Sequence, residues 1–512
     1  MFTQIFAKRT RLGGLVLSAS IGASFLTFDR LTELRYQDVD EKRNKFYTQK
    51  EVSERDGTKG KPLWVTYKDG VYDVTQFQKE HPGGKFLKQA AGGDVEVFWK
   101  KWSYHFSSPK LQNILEETRI GTVSDYDEKL SAQIDDPYVR EPKRNLRLHK
   151  IFDFKPFCTE TFPHVLNSSY LTQADALYVR NHAPVPEYDD PAEHEIAFSN
   201  ESVEQCVLLD DILSEYPKVS VISVLQCAGN RTSRDAKASG PNAFSGTIFE
   251  DIKDGMVGNV LWEGIRLSSV LNRIFPQECA AEQSSANLMW HVIFEGDDEY
   301  ETSTPLAHVL KASNDCILAT KMNGKPLTPD HGYPVRAILP GVAGARNVKW
   351  LKSIRLSREP SDSPWNQNYY RKADGSHIQK LRMQSIILSP EEGETITCNR
   401  HDDKIHIKGV AYGVDSSVCK VEVSIDGGFN WMEATLLTDE ILKDDSVGSY
   451  HGWVRFVADV DAGTIKDKAI VEICALARAT DSNGNVQPQV STKQRGYLYN
   501  GWSIVQFKRV KN

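Results

Sequence analysis

At 512 residues, with 40% hydrophobic and 26% charged, the chain is too long for a single core and has the composition of about three globular domains. A formal net charge of −7 argues against nucleic acid as a partner. Its 8 cysteines include no C-x-x-C pair and no tight cluster, which argues against a disulfide scaffold or a zinc module and leaves free thiols as the expectation.

The first stretch, "MFTQIFAKRTR", carries Lys8, Arg9 and Arg11, and no acid precedes Asp29. Leu12 to Phe28 then runs apolar. A basic stretch followed by an apolar one reads as an organelle presequence with a hydrophobic sorting segment over residues 1–30. The run is short and rich in Gly and Ser for a membrane span, which needs about 20 apolar residues. Membrane contact is therefore expected only through this segment, if it is retained. Residues 31–60 are charged and polar and read as a solvated lead-in.

A compact unit is expected over 61–124. "LWVTYKDGVYDVTQF" has strand-forming residues around a turn at Lys68-Asp69-Gly70. "EHPGG" holds His81 and "WSYHFSS" holds His105, 24 residues later. Such a pair is either a turn and a surface histidine, or two walls of a pocket that clamp a flat macrocycle between imidazoles. Pro82 ends any helix before it, and Gly83 and Gly84 let the backbone turn close to a ring edge. Phe86, Leu87, Val95, Val97 and Phe98 are apolar candidates for that pocket. "VYDVTQFQKEHPGGKFLKQAAGGD" resembles the cytochrome b5 family. The resemblance implies a b-type haem with His81 and His105 as axial ligands, hence an electron carrier with no open position on iron. The unit has 8 Lys/Arg against 7 Asp/Glu between Pro62 and Val123, so no acidic surplus marks a docking face for an acceptor.

Residues 125–148 are polar, carry two prolines and lack a periodic apolar face, so they read as a mobile linker. From 149 to 375, strand-like runs ("VSVISVL", "LMWHVIFEG", "YPVRAILPG") mix irregularly with helix-like segments such as "ESVEQCVLLDDILSEY". That order predicts a mixed α+β domain and not a doubly wound sheet. From 376 to 512 the pattern is β throughout. "CKVEVSIDGGFNW" alternates Val421, Val423 and Ile425 with polar residues before a turn at Asp426-Gly427-Gly428. Short strands with Gly/Asp turns predict an immunoglobulin-like sandwich. The whole is an α+β multidomain chain.

One stretch of the central domain carries the chemistry. "QCAGNR" places Cys227 at the end of an apolar run, with small residues after it. A lone cysteine there is either a core filler or a thiolate ligand for a soft metal. "LYVRNHAPVP" upstream and "DHGYPVRAILPGVAGARNVKWL" downstream supply Arg180, His182, His331, Arg336, Arg346 and Lys349, and Arg231 follows the cysteine. Gly341 and Gly344 allow close backbone approach. Together these describe a pocket for a phosphorylated anion beside a thiol whose pKa nearby cations would lower.

These segments resemble the molybdopterin domain of eukaryotic sulfite oxidases and of the related nitrate reductases, and the domain order matches the animal sulfite oxidases. The resemblance implies molybdenum–molybdopterin as a second cofactor, with Cys227 as the protein ligand to molybdenum. It implies pterin contacts from Tyr178, Val179, Arg180, Asn181 and His182, from Asp298, and from Asn347, Val348 and Lys349. His331 and Arg336 match the phosphate-end pair. Arg180, Tyr370 and Arg495 match substrate residues. The chain departs from the vertebrate pattern "CAGNRR" with Thr232, and a pocket tryptophan about twenty residues after the cysteine falls near Phe249; Trp262 fits a different family tryptophan. Arg234 is a candidate substitute for the missing cation.

The reaction so implied is oxidation of sulfite to sulfate by oxygen-atom transfer. Electrons would leave singly through the haem to cytochrome c. The implied setting is a homodimer, joined through the sandwich, in the mitochondrial intermembrane space. Nitrate reductases carry further modules after the sandwich, and the chain's last residue, Asn512, leaves no room for them. A haem carrier with a merely scaffolding large domain is disfavoured by Cys227, Arg180 and Arg336 standing together.

Overall fold

The computed structural model describes residues 44–81, 87, 88, 90–101, 109–126, 137–285, 290–398, 404–437, 439, 449–461, 470–492 and 495–511. The presequence, Phe86, His105 and the middle of the linker lie outside these residues. The chain divides into two compact units at Asp135–Asp136.

The first unit is built on a four-stranded sheet in the order Phe46–Tyr47, Arg119–Val123, Gly70–Asp73, Trp64–Tyr67. The hairpin turns where the sequence places it, with Lys68 in the left-handed region at φ 51°. The lead-in is a correction. Phe46–Tyr47 pairs in parallel with Thr122–Val123, and Gln49–Ser53 is helical. Its cap is reciprocal: the Thr48 hydroxyl accepts from Glu51 N at 3.2 Å, and the Glu51 carboxylate accepts from Thr48 N at 2.8 Å. Val52 is fully buried beside Trp64, Val71 and Val123. One capping box and one apolar anchor therefore fold a segment whose composition is polar. Leu87 and Val95 enter the unit's core, with Phe98 packed against it, whereas Val97 is 45% exposed on the outer face of helix Glu96–Lys101.

The central part of the second unit holds two sheets. One runs Glu301–Pro305, His291–Gly296, Leu351–Ser357, Glu195–Ser199, Glu204–Leu208. The other runs Lys325–Pro326, Ile317–Met322, Val257–Arg266, Lys218–Gln226, Ser449–His451, with Arg336–Ile338 on Ile317–Met322. The segment 201–216 is helical only over Leu209–Glu215, because Glu204–Leu208 pairs antiparallel with Glu195–Ser199. Strand pairing there overrides the residues' helical preference. Ser449–His451 pairs in parallel with Val221–Ser223, so the C-terminal part of the chain contributes a strand to the central sheet.

The C-terminal sandwich packs Gln384–Ser389, Lys404–Tyr412, Val454–Asp461 and Thr435–Leu437 against Thr395–Cys398, Ser503–Lys511, Ile470–Asp481, Val418–Ser424 and Met432–Glu433. Val421 and Val423 point into its core with Ile405, Ile407, Phe456 and Phe507, as alternation requires. Asp426 caps the expected turn, its Oδ1 accepting from Phe429 N and Asn430 N at 3.0 Å each.

The linker reading fails for residues 137–148. Tyr138 is buried, and the Arg144 guanidinium grips the Asp330 carboxylate at 2.7 and 2.8 Å. Ion pairing, invisible in a polar stretch read alone, fastens this half to the central domain.

Candidate active site

Strand Lys218–Gln226 is buried over its last six residues and delivers Cys227 to the edge of a cleft. The chain turns at once: Asn230 N donates to Cys227 O at 3.0 Å, and Gly229 N lies 3.4 Å from Sγ. Cys227 shares the cleft wall with Tyr178, Val179, Arg180, His182, Asp298, His331, Arg336, Asn347, Val348, Lys349 and Tyr370. A Cβ on Gly344 would lie 2.8 Å from Tyr178 Oη and 3.0 Å from Gln226 O, so glycine alone lets that loop close against the end of the cysteine's strand.

One part of the cleft wall is cationic and buried. Arg336 is 2% exposed, and its Nη1 and Nη2 donate to His331 O at 2.9 Å and Asn347 O at 2.8 Å. Its Nε has no hydrogen-bond partner among the described residues. Burial brings this guanidinium down to about 10, still charged at neutral pH. His331 Nδ1 meets Thr328 Oγ1 at 2.7 Å. Its Nε2 makes no well-formed hydrogen bond, although the Tyr178 backbone lies close enough to bias its proton. Burial pushes His331 down to about 3, so the ring is neutral. Lys349 donates to Asp330 O at 2.9 Å and also to Asn181 Oδ1, and burial lowers its ammonium.

The sulfur end is aromatic. The Arg180 guanidinium carbon lies 4.7 Å from the centre of the Phe249 ring, which packs behind Arg180 and does not itself line the cleft. Tyr370 Oη and His182 Nε2 are 3.0 Å apart, and His182 stacks on Tyr300 at 4.5 Å. Burial first, then Arg180 and Lys349, hold His182 well below its ordinary range. The thiol differs from expectation. Burial pushes Cys227 up, outweighing the Gly229 N–H and Arg180. A cation closer than Arg180 is needed to make it a thiolate, which is what direct metal ligation provides.

Some cations leave the site. Arg231 is fully buried and donates to Asp254, Gln384, Gly501 O and Trp502 O, so it ties the cysteine's turn to the sandwich. Arg234 pairs with Asp254 at 3.2 Å and Glu392 at 3.3 Å and does not replace a pocket cation. Thr232 is buried, its hydroxyl on Gly229 O. Arg346 is spent on Ile378 O, Asn366 and Thr302. Trp262 lies under Arg336, 5.2 Å from the guanidinium carbon. Asn181 sits behind the wall, its Nδ2 3.1 Å from Asp330 Oδ1. Arg495 is exposed and does not line the cleft; Tyr497, two residues on, packs 5.8 Å from Tyr370. Leu225, Tyr300, Asp330 and Ala345 also line the cleft and were missed. Asp330 was legible as an acid beside His331 and across from Lys349. Tyr300 carried no signal in spacing.

In the first unit, His81 follows helix Phe77–Glu80, its N donating to Phe77 O at 2.8 Å and its ring 5.3 Å from that of Phe77. It is half-buried.

The residues fit the two groups. A soft thiol at one end of a cleft and a neutral imidazole and guanidinium with unsatisfied nitrogens at the other suit a metal-bearing pterin with a phosphate tail. An imidazole beside an apolar, aromatic cluster suits haem.

Known proteins agree. The family described as oxidoreductase molybdopterin binding domain matches residues 182–365. The Mo-co oxidoreductase dimerisation domain matches 375–509, and the cytochrome b5-like heme/steroid binding domain matches 48–124. The last of these takes in the capped helix that the sequence reading left to the lead-in. "Sulfite oxidase, mitochondrial" of Drosophila melanogaster is 34% identical over 494 residues, covering 90% of this chain and 80% of that protein. The human protein of the same description is 33% identical over 484 residues, covering 90% and 84%. The solved sulfane dehydrogenase SoxCD of Paracoccus pantotrophus shares the fold, with a TM-score of 0.53 at 21% identity over 75% of this chain and 90% of that one. Identity at this level over nearly the whole chain, with all three domains in order, makes this chain a member of the sulfite oxidase family.

Proposed function

We propose that the chain oxidises sulfite to sulfate at a molybdenum–molybdopterin centre in this cleft and passes electrons singly through a b-type haem to cytochrome c. The observation that carries this reading is that Cys227 and Arg180 meet His331 and Arg336 in one cleft. Bound there, the molybdenum centre supplies two-electron oxygen-atom transfer.

The chain's residues do the rest. Cys227 Sγ ligates the metal. Arg180, backed by Phe249, holds the anion in a site with little water, where a fixed guanidinium is worth more than in solution. Tyr370 Oη, held by His182, faces the same space. Arg495 keeps its family match to a substrate residue but stands exposed outside the cleft, so Arg180 is the guanidinium assigned to the anion. Tyr178, Val179, Arg180, Asn181, His182, Asp298, Asn347, Val348 and Lys349 are assigned to the pterin, and His331 with Arg336 to its phosphate end. His81 and His105 are assigned to haem iron. The relatives' descriptions support a mitochondrial location, and the basic, then apolar, N-terminus is consistent with sorting to the intermembrane space. The dimerisation-family match supports a homodimer through the sandwich.

Metal and haem analysis with a sulfite-dependent cytochrome c reduction assay tests the proposal. Cys227→Ser is expected to keep pterin and lose turnover, because a hydroxyl is a harder ligand than a thiolate. His81→Ala is expected to abolish cytochrome c reduction yet spare sulfite-dependent reduction of ferricyanide. Normal sulfite turnover in Cys227→Ser would return that residue to core packing and sink the assignment.

A further inference from the structure

We infer that Arg144, on the segment entering the second unit, is a positioning residue for the cofactor cleft. Through it, cofactor occupancy and the docking of residues 137–148 are coupled. The inference rests on the cleft being the cofactor's seat.

Arg144 does not line the cleft. Its Nε and Nη2 meet Asp330 Oδ2 and Oδ1 at 2.8 and 2.7 Å, a two-pronged pairing that fixes the carboxylate's orientation as well as its charge. Its guanidinium carbon lies 4.0 Å from the Phe157 ring centre, and Nη2 also bonds Glu141. Glu141 in turn accepts from Val185 N at 2.9 Å. Asp330 does line the cleft. The same Oδ1 accepts from Asn181 Nδ2 at 3.1 Å, and Asp330 O accepts from Lys349 Nζ at 2.9 Å. Lys349 closes the ring on Asn181 Oδ1.

The loop has little slack. Gly332 sits at φ 100°, and a Cβ there would lie 3.0 Å from Lys349 Cα and 3.1 Å from Arg336 Cβ. Despite burial, Arg144 holds the Asp330 carboxyl below its ordinary range. Without Arg144, a buried carboxylate would lose its strongest partner and turn to Lys349 and Asn181. That would pull the ammonium from the wall that the cofactor meets. Because binding couplings are reciprocal, a bound cofactor must also hold residues 137–148 in place.

The test uses the full-length protein, loaded with molybdopterin or prepared free of it. Trypsin cleavage after Lys143 and Arg147 and pterin release in mild urea are measured, with haem absorbance as a fold check. In the wild type, loading is expected to slow cleavage about tenfold, within the usual range of coupling between sites. Arg144→Met is expected to abolish that protection and speed pterin release about tenfold, with Arg144→Lys restoring part of both. Arg140→Met, in the same segment on a largely exposed pair with Glu187, is expected to leave both unchanged. Wild-type release and protection in Arg144→Met would overturn the inference. If that variant does not fold, equal cleavage of loaded and pterin-free wild type overturns it. Protein that takes up no pterin would sink the cofactor reading itself.

Discussion

Arg231 separates two roles that the sequence left confounded, anion binding and structure. Arg231→Met keeps an unbranched apolar stem and leaves the left-handed backbone at φ 68° as it is, so the change is chiefly one of charge and hydrogen bonding. Four donations disappear: to Asp254 Oδ1 at 2.9 Å, Gln384 Oε1 at 2.8 Å, Gly501 O at 2.8 Å and Trp502 O at 2.9 Å. Asp254 keeps Arg234 at 3.2 Å, and Gly501 O keeps Gln487 Nε2 at 2.8 Å. Each orphaned buried acceptor costs about 1–3 kcal/mol, but such losses do not add. Breaking a buried ion pair costs about 3–5 kcal/mol, which we take as the net effect. With a urea slope of about 3 kcal/mol/M, the midpoint of the second unit falls by about 1–1.7 M. Tryptophan fluorescence reads the midpoint, and sulfite kinetics at low temperature read function. An unchanged midpoint with a tenfold or greater fall in kcat/KM would refute the reasoning and return Arg231 to the anion site.

Arg180→Met is expected to lower kcat/KM for sulfite, measured per bound molybdenum, about 10- to 150-fold, the equivalent of about 1.5–3 kcal/mol for a charge-assisted contact. Arg495→Met is expected to cost less than about tenfold, since an exposed charge is screened; steady-state kinetics of the two variants side by side decide the order. Phe249→Ala removes the ring beneath Arg180 and is expected to cost about 0.5–2 kcal/mol, seen as a rise in KM. His308, outside the cleft, is pushed down to about 4 by burial and by Lys380 and Lys311. Between about pH 6.5 and 4 the unfolded chain binds a proton there that the folded chain does not, so stability falls as pH drops through that window. His308→Gln is expected to remove up to about 1.4 kcal/mol per pH unit from that slope in urea titrations, and an unchanged slope would show the ring is not buried neutral.

The strands of the sandwich and the run ending at Cys227 were legible in sequence because alternation and continuous apolar runs report burial directly. Val421, Val423 and the buried end of Lys218–Gln226 behave accordingly. So were Tyr178, Arg180, His182, His331, Arg336 and Lys349, whose residue types cluster in two short segments and all reach one cleft, with Asn181 just behind its wall. What a cation does once there was not legible. Arg180 and Arg231 look alike in sequence, yet one faces the cleft and the other is consumed by acceptors from residues 254, 384, 501 and 502. The thiol's state likewise turned on how much water burial removes against how close Arg180 stands. Residues 137–148 read as free because polar composition is silent about partners; Asp330, 186 residues from Arg144 along the chain, is the partner that fastens them. Composition and periodicity report whether a side chain leaves water. Which partner it then finds depends on contacts between residues remote in sequence, and only the tertiary structure decides those.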